Sequence, residues 1–349
     1  MTEPLTPSFT PLHVFKDADC DLDVIRSKKI AMIGFGSQGH AHALNLRDSG
    51  VQNMVIGLRA ESASALRARE HGFLVMSPEQ AVEGADIIMM MVPDETQAGL
   101  YGQLENHIKR GAALGFAHGL NIHFGLIKPR ADLDVFMVAP KGPGYAVLHE
   151  FENGRGVPCL FAIARDISGK ARAMALSYAA ALGCGRAAIL ETGFKEECET
   201  DLFGEQAVIC GGISALIKAG YETLVEAGYP PEMAYFECVH EAKLVVDLIY
   251  ESGLANMRHA ISNTAEYGDY TRGPRVVTDA TRVAMKTILS EIQSGAFARE
   301  FMGGNQEGLL RLKELRAAQA SHPVEPVGRH VRSLMPWINA RKRPSKNNA

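Results

Sequence analysis

Cysteine is sparse in this 349-residue sequence: six residues, at 20, 159, 184, 198, 210 and 238, with no C-x-x-C pair and no histidine at zinc-finger spacing. That excludes a disulfide framework and argues against iron–sulfur or structural zinc chemistry; thiols of this kind fit a reducing cytoplasm. Positive charge is not in excess either. Lys and Arg number 36 against 40 Asp and Glu, a net charge of −4, so no overall field draws the chain to nucleic acid. Long apolar runs are missing as well. The two longest stretches free of charged residues, 30–46 and 111–127, each carry glycine, asparagine and two histidines and fall short of a membrane span. Acidic residues come early (Glu3, Asp17, Asp19) with no apolar core before a cleavage site, unlike a signal or transit peptide. What remains is an ordinary globular composition, 46% hydrophobic and 22% charged, long enough for about two domains.

Two textures divide the chain. Up to about Glu191, short β-rich runs alternate with helix-like segments. Strand candidates are 28–34, 53–58, 73–76, 86–92, 112–116, 134–138 and 158–164. The run 86–92 (DIIMMMV) has the unbroken apolarity of a strand buried on both faces. Helix-like segments lie between them at 40–48, 62–71 and 96–107. This spacing predicts a doubly wound parallel sheet over residues 14–192. Helical segments dominate from 193 to 338, over 201–218, 231–252, 279–295 and 305–320. The residues 339–349 end in a basic, polar tail expected to be disordered.

Gly34, Gly36 and Gly39 form G-x-G-x-x-G (GFGSQG) directly after the first long strand and at the start of a helix, the context of a Rossmann-type dinucleotide site. The first glycine makes the turn, the second lets backbone approach a pyrophosphate, and the third lets helix and strand pack closely. The helix N-terminus then offers free N–H groups to phosphate. At the end of the next strand an NAD site usually places an acid. Here the loop reads Arg59, Ala60, Glu61, Ser62, Ala63, Ser64. One guanidinium and two hydroxyls suit a 2′-phosphate and favour NADP(H), with Glu61 turned to solvent. The competing reading is an exposed loop whose serine caps the next helix.

Two carboxylate pairs follow in the helical half, Asp201 with Glu205 and Glu237 with Glu241. Residues four apart share one helix face, where like charges repel. Both pairs lie in apolar sequence, so burial would worsen the repulsion and a divalent cation would relieve it. An all-oxygen set suits Mg²⁺ or Mn²⁺. Two solvent-facing acidic pairs are the alternative.

Seven segments in order carry a specific resemblance: GFGSQGHAH at 34–42, PDETQ at 93–97, FAHGLNIHFG at 116–125, VAPKGPG at 138–144, TGFKEECETDLFGEQAVICGG at 192–212, ETLVEAGYPPEMAYFECVHE at 222–241 and ISNTAEYGDY at 261–270. Together they resemble the ketol-acid reductoisomerases of branched-chain amino-acid synthesis, in their short class I form. The likeness runs from about Val14 to Trp337.

The resemblance implies NADPH bound by Phe35, Gly36, Ser37 and Gln38 at the pyrophosphate and by Arg59, Ser62 and Ser64 at the 2′-phosphate. Asp94, Glu95, Thr96, Gln97 and Gly144 lie beside the coenzyme. It implies His118 and Lys141 in the active site, two Mg²⁺ held by Asp201, Glu205, Glu237 and Glu241, and Ser262 on the substrate. Glu205 is a candidate proton relay. The helical domain is then knotted and forms a homodimer, possibly part of a larger oligomer. Each site draws Asp201 and Glu205 from one subunit and Glu237 and Glu241 from the other. Phe35, Leu120 and Tyr145 stand where the family more often has tyrosine, phenylalanine and histidine, and none of these changes removes a ligand. Two other functions stay open on the residues alone. One is a metal-independent NADP-dependent hydroxy-acid dehydrogenase; the other is a dinucleotide sensor without catalysis.

Overall fold

A computed structural model of the chain describes residues 12–302 and 307–339. The expected tail, beyond Asn339, lies outside the described residues, as does the start of the helix expected from Asn305. Two compact units divide between Cys198 and Glu199.

In the first unit the strands are β1 (Val14–Phe15), β2 (Ile30–Ile33), β3 (Met54–Gly57), β4 (Leu74–Met76), β5 (Ile87–Met90), β6 (Ala113–Phe116), β7 (Asp134–Pro140), β8 (Cys159–Arg165) and β9 (Ile189–Glu191). Its helices are α1 (Leu22–Arg26), α2 (Ser37–Asp48), α3 (Ala63–Glu70), α4 (Pro78–Val82), α5 (Asp94–Leu104), α6 (Leu120–His123), α7 (Gly144–Glu152) and α8 (Ala171–Ala181). One nine-stranded sheet runs in the order β1-β9-β8-β7-β6-β5-β2-β3-β4. Six of its neighbouring pairs are parallel. Two are not: β8 runs antiparallel to β7, and β1 antiparallel to β9. The doubly wound sheet is thus parallel-dominated, as expected, and mixed at one side. After β7 the chain passes through α7 and comes back beside the same strand in the opposite direction, without the crossover that a parallel neighbour requires.

Alternation along the strands explains the two layers of helices. Ile30, Met32, Ile56, Ile87 and Met89 point to one face, where Leu44 and Leu46 of α2 and Ala175 and Tyr178 of α8 cover them. Ala31, Ile33, Val55, Ile88 and Met90 point to the other, under Ala81 and Val82 of α4 and Tyr101 and Leu104 of α5. The chain leaves β2 toward β3 and β4, then crosses to β5 on the opposite side of β2. That reversal opens a crevice at the carboxyl ends of β2 and β5.

Helix α9 (Phe194–Phe203) passes from the first unit into the second. The second is helical throughout its described residues. After α9 comes a π-helical stretch, Gly204–Ile209, then α10 (Gly211–Glu226). Next, α11 (Pro231–Tyr235) leads through a second π-helical stretch, Phe236–His240, into α12 (Glu241–Ala260), kinked at Gly253 where φ is +83°. The remaining helices are α13 (Asn263–Val276), α14 (Asp279–Gln293), α15 (Ala296–Met302), α16 (Glu307–Ala320), α17 (Val324–Ser333) and α18 (Pro336–Asn339). A small core of Tyr221, Ala234, Tyr235 and Val331 joins α10, α11 and α17. There Arg332 donates to the Tyr235 hydroxyl at 2.8 Å.

Candidate coenzyme and carboxylate sites

The glycine fingerprint sits at the mouth of the crevice. Gly34 has φ +114°, and a Cβ there would come within 2.6 Å of the Met91 backbone, so β2 can turn beside β5 only through glycine. A Cβ on Gly39 would meet the Gly34 carbonyl oxygen at 2.6 Å. Gly36 is different: a Cβ there would touch nothing within 4 Å, and it caps α2 without any side-chain hydrogen bond. Open space above an uncapped helix start is what a pyrophosphate needs. The residues present therefore fit a dinucleotide.

The other expected coenzyme residues divide into those that face outward and those that hold the frame. Phe35 is buried, its ring edge-on to His40 and Phe73, so only its backbone is available. Ser37 opens α2 and is exposed. The Gln38 amide donates to the Gly142 carbonyl at 2.9 Å, tying the fingerprint helix to the loop that carries Lys141. Asp94 begins α5, with Glu95 half-buried beside it, and Thr96 donates to the Pro93 carbonyl at 2.8 Å. Gln97 is buried, donating to the Val92 carbonyl and to Asp94 and accepting from Asn121. Its place is that of a brace for the loop. Gly144 is buried at the start of α7, where a Cβ would lie 2.1 Å from the Ser37 carbonyl oxygen. It lets α7 approach α2.

Arg59 and Glu61 are exposed, and Ser62 caps α3 by accepting from the Ala65 N–H at 3.2 Å. Sequence reasoning missed Arg67. Its Nη2 reaches the Phe35 carbonyl at 3.4 Å and the Ser64 hydroxyl at 3.1 Å, joining this loop to the fingerprint.

A second missed residue is Glu197. Only 1% of its side chain is exposed, and it accepts from Lys141 Nζ at 2.8 Å and the Gly119 N–H at 2.9 Å and lies 3.2 Å from His118 Nδ1. Burial works against charge on His118. Hydrogen bonds to Cys198 and Glu197, with the charges of Glu197 and Asp94, overcome it and push its pKa up to about 11. Burial likewise opposes the Glu197 carboxylate, but His118 and Lys141 hold its pKa below the ordinary value. His118 follows β6 and Lys141 follows β7, at the strand ends where such sheets bind ligands. A signal for Glu197 was in the sequence: Glu197, Asp201 and Glu205 recur every four residues.

In the helical unit each carboxylate pair straddles a junction of α and π winding. Asp201 is in α9 and Glu205 in the first π-helical stretch; Glu237 is in the second and Glu241 opens α12. Such one-turn π insertions concentrate at functional sites. The pairs are less enclosed than their apolar sequence predicts. Asp201 is half-buried, but Glu205, Glu237 and Glu241 are exposed, and so are Ile209, Met233 and Leu244 around them. Those apolar side chains face out of this chain. The donor set is all carboxylate oxygen and fits a hard divalent cation. Ser262 is exposed and caps α13 by accepting from the Ala265 N–H at 3.2 Å.

Known proteins bear on both units. Residues 24–188 match the family profile described as acetohydroxy acid isomeroreductase, NADPH-binding domain, and 194–337 that described as ketol-acid reductoisomerase, C-terminal domain. Among solved structures, an NADH-preferring ketol-acid reductoisomerase from an uncultured archaeon is 43% identical, with a TM-score of 0.90 over 93% of this chain and 99% of its own. A semialdehyde dehydrogenase NAD-binding protein from Cupriavidus necator, solved with calcium and NAD, is 18% identical, with a TM-score of 0.59 over 77% of this chain and 99% of its own. A pyrroline-5-carboxylate reductase from Coxiella burnetii is 13% identical, with a TM-score of 0.53 over 77% and 98%. These last two share the fold alone. With both family domains present in order and the close structural likeness spanning nearly all of both chains, this protein belongs to the ketol-acid reductoisomerase family.

Proposed function

We propose that the protein is an Mg²⁺- and NADPH-dependent isomeroreductase of 2-acetolactate and 2-aceto-2-hydroxybutyrate. It would yield 2,3-dihydroxy-3-methyl acids for valine, isoleucine and leucine synthesis in the cytoplasm. The observation that carries this reading is the presence of two all-oxygen carboxylate pairs, each straddling the junction of an α-helix with its own π-helical stretch. A metal-independent hydroxy-acid dehydrogenase has no use for them.

The reaction sets the demands. The substrate's hydroxyl must lose its proton while an alkyl group moves to the neighbouring carbonyl carbon, and negative charge gathers on adjacent oxygens. Asp201, Glu205, Glu237 and Glu241 would hold two Mg²⁺, which supply Lewis acidity when bound. Glu205 is proposed to relay the hydroxyl proton. NADPH, held at the fingerprint of Gly34, Gly36 and Gly39, would supply the hydride for reducing the rearranged 2-keto acid, and the protein would orient its nicotinamide. Lys141 and His118, both held by Glu197, are proposed to donate hydrogen bonds to substrate oxygens. Ser262 is proposed to contact the substrate.

Arg59, Ser62 and Ser64 support NADPH as the preferred coenzyme, since each can donate to a 2′-phosphate. Glu61 is the opposing feature in the same loop, and the archaeal relative is NADH-preferring. We further propose a homodimer with sites shared between subunits. Its support is the exposed apolar side chains of α10 and α12, among them Leu216 and Leu244.

An assay of 2-acetolactate with NADPH or NADH, in EDTA and after Mg²⁺ is restored, tests the whole reading. Turnover should stop in EDTA and return with Mg²⁺, and NADPH should be the better coenzyme. Unchanged turnover in chelator would point to the metal-independent dehydrogenase. NADPH binding without any turnover would point to a sensor.

A further inference from the structure

We propose that His40 and His71 form a binding site for a divalent transition-metal ion such as Zn²⁺, separate from the carboxylate pairs of the helical unit. The two rings come from different elements: His40 stands in the first turn of α2, and His71 ends α3 as its C-cap. Their Nε2 atoms lie 3.3 Å apart. Two nitrogens bound to one tetrahedral Zn²⁺ at ~2.05 Å are separated by roughly 3.3 Å. That distance is long for a hydrogen bond through a ring N–H. The rings are not head-on either. Their centroids are 4.9 Å apart and their planes meet at 58°, closer than a straight N–H···N bond would hold them. Each ring axis is bent away from the line between the nitrogens, as it is when both nitrogens point at a third atom.

The surroundings suit a ligand role. Imidazole binds metal only when neutral. Burial, with His71 and Arg67 nearby, lowers the His40 pKa to about 4, so its ring is neutral at ordinary pH. His71 is exposed, which leaves the rest of a coordination shell to water. Both residues are braced: the Phe35 ring stands edge-on to His40, and Arg47 donates to the His71 carbonyl at 2.9 Å. Little side-chain freedom is therefore lost on binding. Arg67 is the opposing neighbour, its guanidinium tied to the Phe35 carbonyl and the Ser64 hydroxyl. Two imidazoles favour Zn²⁺, Cu²⁺ or Ni²⁺ over Mg²⁺, which takes oxygen. With two protein ligands the site is weaker than a closed four-ligand zinc site, and its ion exchanges. A bound ion would staple the fingerprint helix to α3 and so stabilise the nucleotide-binding unit.

Calorimetric titration of Zn²⁺ into the full chain, in excess Mg²⁺, tests this with no reference to turnover. Wild type should bind one equivalent that His71→Asn and His40→Asn each lose. Zn²⁺ that displaces Mg²⁺ from the carboxylates would remain in both variants, so the lost equivalent identifies the histidine site. Zn²⁺ should also raise the unfolding temperature of wild type more than that of either variant. One equivalent of Cu²⁺ should show hyperfine coupling to two imidazole nitrogens in the wild-type electron paramagnetic resonance spectrum. His71 is exposed, so its variant should fold, and circular dichroism without metal checks that it does. Zinc isotherms that are the same in wild type and both variants would leave the two rings a hydrogen-bonded pair and overturn the proposal. So would a wild-type copper spectrum without imidazole nitrogen.

Discussion

In the nucleotide-binding unit every residue of β2, β5, β6 and β7 is buried, whereas in the helical unit Ile209, Leu216, Leu244 and Leu254 are each more than half exposed. Both sets read as strongly apolar sequence. Apolar strands with helices on both faces find their cover within one chain, and the hydrophobic effect there is spent on the fold itself. Apolar helices that bury few of their large side chains leave much of their surface to be covered by something else. The difference teaches that hydrophobic patterning announces burial but not whose atoms provide it.

The comparison can be pressed hardest at the carboxylates. Asp201→Asn and Glu237→Gln should each lower 2-acetolactate turnover by at least about 1,000-fold, because they remove charge neutralisation where the rearrangement needs it. NADPH affinity, measured by fluorescence titration, should stay within a few-fold, since the fingerprint lies in the other unit. A matched loss of coenzyme binding would break the separation of roles. Next in size is assembly. Leu216→Asp should weaken self-association by about 100-fold or more in sedimentation velocity, whereas Ile167→Asp, equally exposed in the first unit, should leave it unchanged. Equal behaviour of the two variants would remove the distinction between the surfaces.

Smaller effects test the nucleotide unit's self-sufficiency. A Cβ on Gly115 would fall 2.3 Å from Met89 Sδ and 2.8 Å from the Phe136 ring, so Gly115→Ala should cost about 1–3 kcal/mol in thermal or chemical unfolding. His42 offers a gentler probe. It is fully buried beside the Tyr178 hydroxyl at 2.9 Å, and burial depresses its pKa to about 3. An unfolded histidine titrates near about 6.5. The neutral ring's contribution is therefore whole above that pH and declines as pH falls toward 3, by up to about 1.4 kcal/mol per unit. Hydrogen exchange of α2 amides should show this slope, and His42→Asn should flatten it. A slope unchanged in the variant would assign it to other groups.

Much of the nucleotide site was legible in sequence because its geometry depends on glycine. Gly34 and Gly39 occupy places where backbone atoms leave no room for a side chain, and such demands leave a readable spacing. β8 was expected at 158–164, but its antiparallel direction was not legible, and β1 and β9 were missed as strands. β1 and β9 have two and three residues, too few to show alternation, and strand direction is decided by connections that patterning does not encode. α13 was passed over because Pro274 lies inside it and polar residues dominate it. Arg67 and Glu197 were missed for another reason. One sits in an ordinary charged helix and the other in an acidic cluster, and only tertiary contacts single them out. The carboxylate pairs were recognised, but their surroundings were read as an interior, and in this chain they are largely open.

The π-helical stretches carry a further consequence for how the helical unit tolerates change. Each amounts to one surplus residue spliced into an α-helix, which offsets everything before it from everything after it by about 100° of rotation. The direction of Asp201 and Glu205 is thereby uncoupled from the apolar stripe of α10 that follows. A one-residue deletion at Cys210, ordinarily ruinous in a helix, would here let the winding relax to regular α geometry. The backbone would gain regular hydrogen bonds while the carboxylates swung round to a different side. Local stability and the proposed metal binding would therefore pull on the same residue count in opposite directions.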